Sequence, residues 1–156
     1  IEVVRADVGD ITFKGGQRVL MVRGKGRDEK DNFVILTDKT YKPIAEYLSE
    51  RGCVRMTDPL FTSESNRDRG GRMTTRSISR IAKNNLRGIG LDEKVYTAHS
   101  LRHTTAVSIL RGGGTLEDCQ LTLRHSNPAT TQIYTAFVDE ERRLNRQAEA
   151  LVDELF

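Results

Sequence analysis

The sequence has little cysteine and no long apolar run, and both shortages narrow the classes of protein to which it can belong. Its 156 residues contain two cysteines, Cys53 and Cys119, which lie far apart and match no C-x-x-C spacing. We therefore expect reduced thiols, with no disulfide and no zinc site. No apolar stretch approaches the roughly 18 residues of a membrane span, and no signal peptide is visible. These features favour a cytoplasmic protein without a membrane anchor.

The motifs that bind nucleotides or catalytic metals are also missing. There is no G-x-x-x-x-G-K-[ST] loop, and no D-x-D or H-E-x-x-H pattern. Gly24-Lys25-Gly26 does not form a nucleotide-binding loop, because no helix is predicted to follow it and it lies in a turn between strands. A P-loop enzyme is excluded and a two-metal nuclease is disfavoured, so we expect neither a cofactor nor a metal ion.

Basic residues are concentrated in one part of the chain. The net charge is only +3, with an isoelectric point near 9.0. Between positions 67 and 87, however, a single acid, Asp68, stands among seven cations: Arg67, Arg69, Arg72, Arg76, Arg80, Lys83 and Arg87. Such a block can neutralise several phosphates of a nucleic acid. The alternative interpretation is that these residues form a solvated helix face and a basic loop, without a role in binding.

The hydrophobic pattern predicts an α+β fold, mainly helical, with a small three-stranded antiparallel sheet near the N-terminus. Alternating apolar residues from position 10 to 36, a Gly15-Gly16 turn and a polar stretch from 24 to 31 define the three strands. Helical spacing follows from 41 to 52, from 78 to 88 and from about 100 to the glycines at 112–114. Thr115 and Asp118 form the pattern of a capping box for a short fourth helix that ends near 124.

Two helices are predicted after that point. Asn127-Pro128 is a typical helix start for the segment that contains Tyr134. Residues 139–155 then carry an apolar stripe on a charged helix, which can cover the core of this chain or dock on a neighbouring molecule. At the other end, the chain opens on an apolar pattern without a Met, which predicts that something has been removed upstream.

The residues suited to chemistry lie close together in the sequence. All three histidines, His99, His103 and His125, fall in a short stretch that also holds Arg102, Arg124 and Tyr134. Arginine is the best side chain for clamping phosphate oxygens, and histidine or lysine can protonate a leaving oxygen. A tyrosine nucleophile needs cations or a base nearby, since its unperturbed pKa is about 10. The combination fits metal-free phosphodiester chemistry, although each residue alone also fits a structural role.

The order of these residues resembles that of the tyrosine site-specific recombinases, the phage-type integrase family. His99-Ser100-Leu101-Arg102-His103-Thr104 is similar to the H-x-L-R-H-T box of the family. Leu123-Arg124-His125-Ser126, followed by Thr130-Thr131 and Ile133-Tyr134-Thr135, is similar to its L-G-H-S and T-T-x-x-Y-T segments, and Tyr134 stands nine positions after His125 as in the family. Upstream, residues 22–26 resemble its β-hairpin lysine motif and residues 8–11 the segment before that hairpin. The resemblance spans nearly the whole chain.

The resemblance implies a role for each matching residue. Tyr134 would attack the scissile phosphate and form a 3′-phosphotyrosyl link, and Arg102 would clamp the nonbridging oxygens. Lys25 would be the general acid for the leaving 5′-oxygen, while His99 and His125 would bind the phosphate and assist proton transfer. His103 follows the box but is expected to serve structure. Neither ATP nor a metal ion is implied, because the covalent bond conserves the energy.

The chain departs from the family pattern in two places. The first catalytic arginine of the family lies in an R-x-x-E pattern, and if Glu2 is that glutamate, the arginine belongs two positions before Ile1. We therefore expect residues 1–156 to be a catalytic domain that lacks this arginine and the N-terminal core-binding domain, and to cleave DNA weakly or not at all. The second departure is Arg124, where the family usually has glycine.

The function implied is recombination or integration of double-stranded DNA at specific sites, by a homo-tetramer assembled on DNA. Two alternatives remain open. A type IB topoisomerase shares the tyrosine chemistry, although the H-x-L-R-H box argues against it. A catalytically inactive DNA-binding module would keep the same fold without cleaving DNA.

Overall fold

The chain is divided into two compact units, Ile1–Ile81 and Ala82–Phe156. A computed structural model describes residues 1–24, 26, 28–52, 54–66, 68–124 and 129–146. Its helices are α1 (Glu2–Arg5), α2 (Asp38–Arg51), α3 (Thr75–Gly88), α4 (Ala98–Arg111), α5 (Leu116–Leu123) and α6 (Ala129–Arg146). Its strands are β1 (Ile11–Lys14), β2 (Gln17–Val22) and β3 (Asn32–Ile35). The predicted α+β class is confirmed.

The sheet in the first unit is antiparallel, with strand order β1-β2-β3, as the alternation of apolar residues predicts. Lys14 pairs with Gln17, so the β1-β2 turn consists of Gly15 and Gly16 alone. Both glycines have positive φ, 57° and 77°. A two-residue turn of this hand matches the twist of the strands and requires residues that tolerate positive φ, which explains the glycine pair.

The segment before the sheet is paired with a loop from the middle of the chain. The amide of Val8 donates to the carbonyl of Asp58, and the amide of Leu60 donates to the carbonyl of Ala6, both at 2.9 Å. Leu60 and Ala6 are buried, with exposed fractions of 0% and 2%. The short helix α1 that leads into this pairing was not predicted, because four residues are too few for a helical period to show in the sequence.

A cluster of charged side chains bonds the β2-β3 connection, through Lys30, to the two aspartates that precede β1. The Lys30 ammonium donates to the Asp7 carboxylate at 2.8 Å and to the Asp10 carboxylate at 2.6 Å. Arg72 also donates to Asp7 and to the carbonyl of Ala6. Burial alone would raise the pKa of Asp7, but hydrogen bonds from Lys30 and Arg72 outweigh it and hold that pKa below 3.8.

Two helices of the second unit, α4 and α5, are capped at their starts by threonines. The Thr115 hydroxyl accepts from the amide of Asp118 at 3.1 Å, and the Asp118 carboxylate accepts from the amide of Thr115 at 2.7 Å. The capping box predicted for α5 is therefore confirmed. Helix α4 begins two residues before the predicted Ser100, at Ala98, because Thr97 caps it.

The prediction of separate helices for Tyr134 and for residues from 139 onward was wrong where the structure describes them. Helix α6 runs without a break from Ala129 to Arg146. Asp139 is an ordinary surface position in this helix, and no proline or glycine interrupts it. Polar contacts join α6 to α4: Arg111 forms a bidentate ion pair with Glu141, and Arg142 donates to the carbonyl of Leu110 at 2.7 Å. The question of where residues 147–155 dock lies outside the described residues.

No helix in the part of the chain that the structure describes has the length and apolar character needed to cross a membrane.

Candidate active site

The first turn of α4 positions two of the predicted site residues. The amide of His99 donates to the Thr97 hydroxyl at 3.2 Å, and the amide of Thr97 donates to the Ser100 hydroxyl at 3.0 Å. These reciprocal bonds fix the direction in which α4 begins. His99 and Arg102, three residues apart, consequently project from neighbouring positions on one side of the helix.

Three rings form a continuous chain from α4 to α6. The ring centroids of His99 and His103 are 5.0 Å apart, with their planes at 86°. His103 in turn lies 5.2 Å from Tyr134, edge to face at 72°. The spacing and angles are those that aromatic pairs prefer. His103 thus joins His99 to Tyr134, a contact that is not evident from the sequence, where His103 is expected only to serve structure.

Tyr134 lies inside the apolar core of the second unit. Its exposed fraction is 5%, and it belongs to a cluster of buried residues from α4, α5 and α6: Ala106, Leu110, Cys119, Leu123, Tyr134 and Val138. The helical spacing of 134 and 138 puts both side chains on the same face of α6. In this arrangement the phenol is a packing group as well as a candidate nucleophile.

Arg102 connects the start of α4 to the end of α5. Its guanidinium donates to the carbonyl of Leu123, the last residue of α5. The fork of an arginine holds five N–H donors, so one guanidinium can make several hydrogen bonds at once. Arg102 is partly buried, whereas His99 and His103 are exposed. The H-x-L-R-H box therefore brings one guanidinium and two imidazoles together in the first half of α4, and the buried Tyr134 contacts the ring of His103.

Arg124 has an unusual backbone conformation at the end of α5. Its φ and ψ are 52° and 44°, in the left-handed region, and it is the one non-glycine residue with positive φ among those described. This conformation costs an L-residue about 1–2 kcal/mol, because Cβ crowds the following carbonyl. Glycine commonly occupies such positions after a helix. The preference of the family for glycine here thus has a conformational reason.

Two predicted site residues, Lys25 and His125, lie outside the described residues, and so does Arg67. The neighbours of Lys25 are described. Arg5 donates to the carbonyl of Gly24 at 2.8 Å, near the start of the β2-β3 connection. Lys30, near the end of the same connection, donates to the Asp10 carboxylate. Lys25 belongs to the first unit and the other four predicted catalytic residues belong to the second.

The basic block divides into exposed and internally bonded cations. Arg69, Arg76 and Arg80 are exposed, and the last two lie one turn apart on α3. Arg72 instead binds Asp7 and two backbone carbonyls, one of them that of Val4 at 2.7 Å. Its guanidinium stabilises the first unit.

Lys83 is also bonded internally, at the end of α3. Its ammonium donates to the carbonyls of Asp92, at 3.0 Å, and Glu93, at 2.6 Å, and thereby fixes the loop after the helix. Partners of this kind leave no mark in the sequence, which is why Arg72 and Lys83 were both assigned to DNA binding.

Within the described residues, no group of three His, Cys, Asp or Glu side chains is placed to hold a metal ion.

Comparison with known proteins agrees with the motifs. The model of the phage integrase family matches residues 1–141. The chain is 35% identical to the tyrosine recombinase XerC of Pelobacter propionicus over 134 residues, which is 86% of this chain and 41% of that protein. It is 33% identical to the tyrosine recombinase XerD of Caulobacter vibrioides over 130 residues, covering 78% of this chain and 40% of that protein. The chain thus spans less than half the length of these relatives.

Solved structures share the fold. The XerA recombinase superposes with a TM-score of 0.71 at 32% identity, over 94% of this chain and 52% of XerA. The XerH recombinase in its post-cleavage complex with a palindromic difH substrate gives a TM-score of 0.72 at 23% identity, over 93% of this chain and 40% of XerH. With the family model covering most of the sequence and the H-x-L-R-H box and tyrosine helix in place, the chain belongs to the phage integrase family of tyrosine recombinases.

Proposed function

We propose that this chain is the catalytic part of a site-specific DNA recombinase or integrase. The observation that carries the proposal is the grouping of Arg102, His99, His103 and Tyr134 in one unit, through the ring contacts and the bond from Arg102 to the end of α5. A guanidinium, imidazoles and a phenol are the groups needed to move a phosphoryl group without a metal ion. XerC, XerD and XerA, which the chain resembles, are all recombinases by name.

The proposed reaction is a transesterification. The Tyr134 oxygen attacks the scissile phosphorus, the bond from phosphorus to the 5′-oxygen breaks, and a 3′-phosphotyrosyl link forms. Lys25 supplies the proton that the leaving 5′-oxygen takes up, and Arg102 stabilises the charge on the nonbridging oxygens. His99 and His125 bind the phosphate and accept the phenol proton. The 5′-hydroxyl of another strand reverses the reaction, so no ATP is consumed.

Double-stranded DNA at a specific site is the proposed substrate. Arg69, Arg76 and Arg80 are exposed and are proposed to contact the DNA backbone, together with Arg67, whereas Arg72 and Lys83 are left out because their ammonium or guanidinium groups are bonded internally. Assembly as a homo-tetramer on paired sites is part of the same proposal. These contacts would make the affinity for DNA fall steeply with salt.

The burial of Tyr134 adds one requirement. With 5% of its surface exposed, the phenol cannot meet a phosphodiester without a change in the packing around it. We therefore include in the proposal a movement of α6 that brings the tyrosine out of the apolar cluster when DNA is bound. The same observation favours a second candidate, a DNA-binding module that does not cleave, in which Tyr134 serves packing alone.

A nicked suicide substrate tests the proposal. The intact protein is incubated with DNA carrying its recombination site and a nick next to the cleavage position, so that the covalent intermediate accumulates. Recombinase chemistry predicts a protein–DNA adduct that maps to the peptide holding Tyr134 and is absent from Tyr134→Phe. Tyr41→Phe is the matched control, because its ring can still pack against the Arg18 guanidinium, 3.8 Å away, and the adduct should persist.

The outcomes separate the candidates. DNA binding without any adduct from the wild-type protein would select the non-cleaving module. Relaxation of supercoiled plasmid without a recombination site would select a topoisomerase.

A further inference from the structure

The connection between β2 and β3 is bonded near both of its ends to the segment that precedes β1. Near its start, Arg5 donates to the carbonyl of Gly24 at 2.8 Å. Near its end, the Lys30 ammonium donates to both oxygens of the Asp10 carboxylate, at 2.7 and 2.6 Å. Lys25, the proposed general acid, lies between these two anchors in the sequence.

The topology of the sheet explains why the two segments meet. Ile11, the first residue of β1, pairs with Leu20, while Val22, the last residue of β2, pairs with Asn32, the first residue of β3. The start of β1, the end of β2 and the start of β3 therefore lie at the same end of the sheet. Side chains of the segment before β1 can reach the β2-β3 connection because both are located at that end.

The Lys30 anchor is well suited to hold a position. Its side chain is 29% exposed and that of Asp10 is 11% exposed. Burial alone would lower the pKa of Lys30, but hydrogen bonds to Asp10 and Asp7 outweigh it and raise that pKa above 10.5. Arg72 also donates to Asp7, which ties the cluster to a further part of the first unit. Lys30 thus stays charged and bonded at neutral pH, whereas a general acid works best with a pKa near the working pH.

We propose that Lys30 and Arg5 are positioning residues, which set where the β2-β3 connection presents Lys25 to the leaving 5′-oxygen. The inference rests on the proposed function, in which the Lys25 ammonium gives a proton to that oxygen as its bond to phosphorus breaks. Such a transfer requires donor and acceptor to lie within about 3 Å of each other. Loss of either anchor lets the connection shift, so protonation slows while DNA binding and the attack by Tyr134 are retained.

A substrate that needs no acid tests this role. When sulfur replaces the 5′-oxygen at the scissile phosphate of suicide DNA, the leaving group departs as a thiolate, because a thiol has a pKa of only about 8.5. A protein whose acid is missing or misplaced should cleave this sulfur substrate at nearly the wild-type rate. Lys25→Ala is the reference: adduct formation on the oxygen substrate should slow by about 10²- to 10⁴-fold, and sulfur should restore it.

Variants of the two anchors should reproduce this pattern in a weaker form. Lys30→Met should slow adduct formation on the oxygen substrate by about 10- to 100-fold, as expected for a misplaced catalytic group, and sulfur should restore the rate. Arg5→Met leaves only a carbonyl without its donor and should show the same pattern with a smaller loss. It tests the proposal even if Lys30→Met, which leaves the buried Asp10 without its cation, does not fold.

Two further variants serve as controls. Lys30→Arg keeps a cation that can bind the aspartates, but a guanidinium does not release a proton, so this variant should cleave the oxygen substrate at nearly the wild-type rate. Lys39→Gln removes an exposed charge from the first turn of α2 and should match the wild type on both substrates.

The proposal is overturned if a folded Lys30→Met or Arg5→Met variant cleaves the oxygen substrate at the wild-type rate. Equal slowing on oxygen and sulfur also overturns it, since that result indicates a loss of fold or of DNA binding. If Lys30→Arg is as slow as Lys30→Met and sulfur restores it, Lys30 is itself the acid and the proposal is wrong.

The same assay separates this inference from the proposed function. If the wild-type protein forms no adduct on either substrate, both fail together. If Lys25→Ala cleaves the oxygen substrate at the wild-type rate, Lys25 is not the acid and no anchor can act through it. If the wild type forms an adduct and sulfur rescues Lys25→Ala, a failure of the anchor variants concerns this inference alone.

Discussion

Replacement of Tyr134 distinguishes its packing from its proposed chemistry. The ring is 5% exposed and lies among Leu110, Leu123 and Val138, which are 6%, 5% and 2% exposed. Tyr134→Ala removes the ring and leaves a cavity, and such truncations cost about 3–5 kcal/mol. Domains are stable by only about 5–15 kcal/mol, so this variant would lose a large part of its stability. Its inactivity would therefore say little about chemistry.

Tyr134→Phe keeps the ring in place and removes only the hydroxyl. The loss of one hydrogen-bonding group costs about 0.5–1.5 kcal/mol. We expect urea unfolding followed by circular dichroism to show a small decrease in the free energy of unfolding for Phe and a decrease several times larger for Ala. The covalent adduct should be absent from both variants. If Tyr134→Phe keeps nearly all of its stability but forms no adduct, the hydroxyl is identified as the nucleophile.

Two results would refute this reasoning. If Tyr134→Ala lowered the free energy of unfolding by less than about 1 kcal/mol, the ring could not be packed as the structure shows, since even a partly relaxed cavity costs more. If Tyr134→Phe still formed an adduct on suicide DNA, another group would be the nucleophile. The two measurements are independent: unfolding tests the packing of the Tyr134 ring, and the adduct assay tests the role of its hydroxyl.

Three other predictions concern stability and reactivity. Because the pKa of Asp7 is held below 3.8 in the folded protein, its interactions stabilise the fold above that pH and are lost as the pH falls through the lowered pKa; Asp7→Asn, which lacks the titrating carboxyl, should lose less stability than the wild type in urea titrations between neutral and acidic pH. Cys119 is fully buried, and burial followed by the charge of Asp118 raises the pKa of its thiol, so peptide mapping should show iodoacetamide labelling at this position only as the protein unfolds. Thr115→Ala should lower the free energy of unfolding by about 1 kcal/mol, because the amide of Asp118 loses its cap, whereas Thr115→Ser should retain most of it.

Several elements could be predicted because their cause is local. Gly15-Gly16 between alternating apolar residues predicts a tight hairpin, and Lys14 does pair with Gln17. The Thr115 and Asp118 pattern predicts a capped helix, and both capping bonds form. In each case the determining atoms lie within three or four residues of one another. Their geometry follows from the chain itself.

Contacts between distant residues could not be predicted in the same way. Arg72 and Lys83 looked like DNA-binding cations, yet one bonds the Asp7 carboxylate, 65 positions away, and the other bonds carbonyls of the next loop. The continuity of α6 through Asp139 was missed as well. An amphipathic stripe shows which face is buried, but it does not show whether one helix ends and another begins.

The sequence by itself determined the family, the order of the three strands and of helices α2 to α5, and the types of side chain available for chemistry, because motifs and periodicity are properties of neighbouring residues. Only the tertiary structure decided that His103 bridges His99 and Tyr134, that Arg102 binds the end of α5, and that the tyrosine is buried. These facts depend on how α4, α5 and α6 pack. Packing is fixed by the fit of whole surfaces and not by any local pattern of residues.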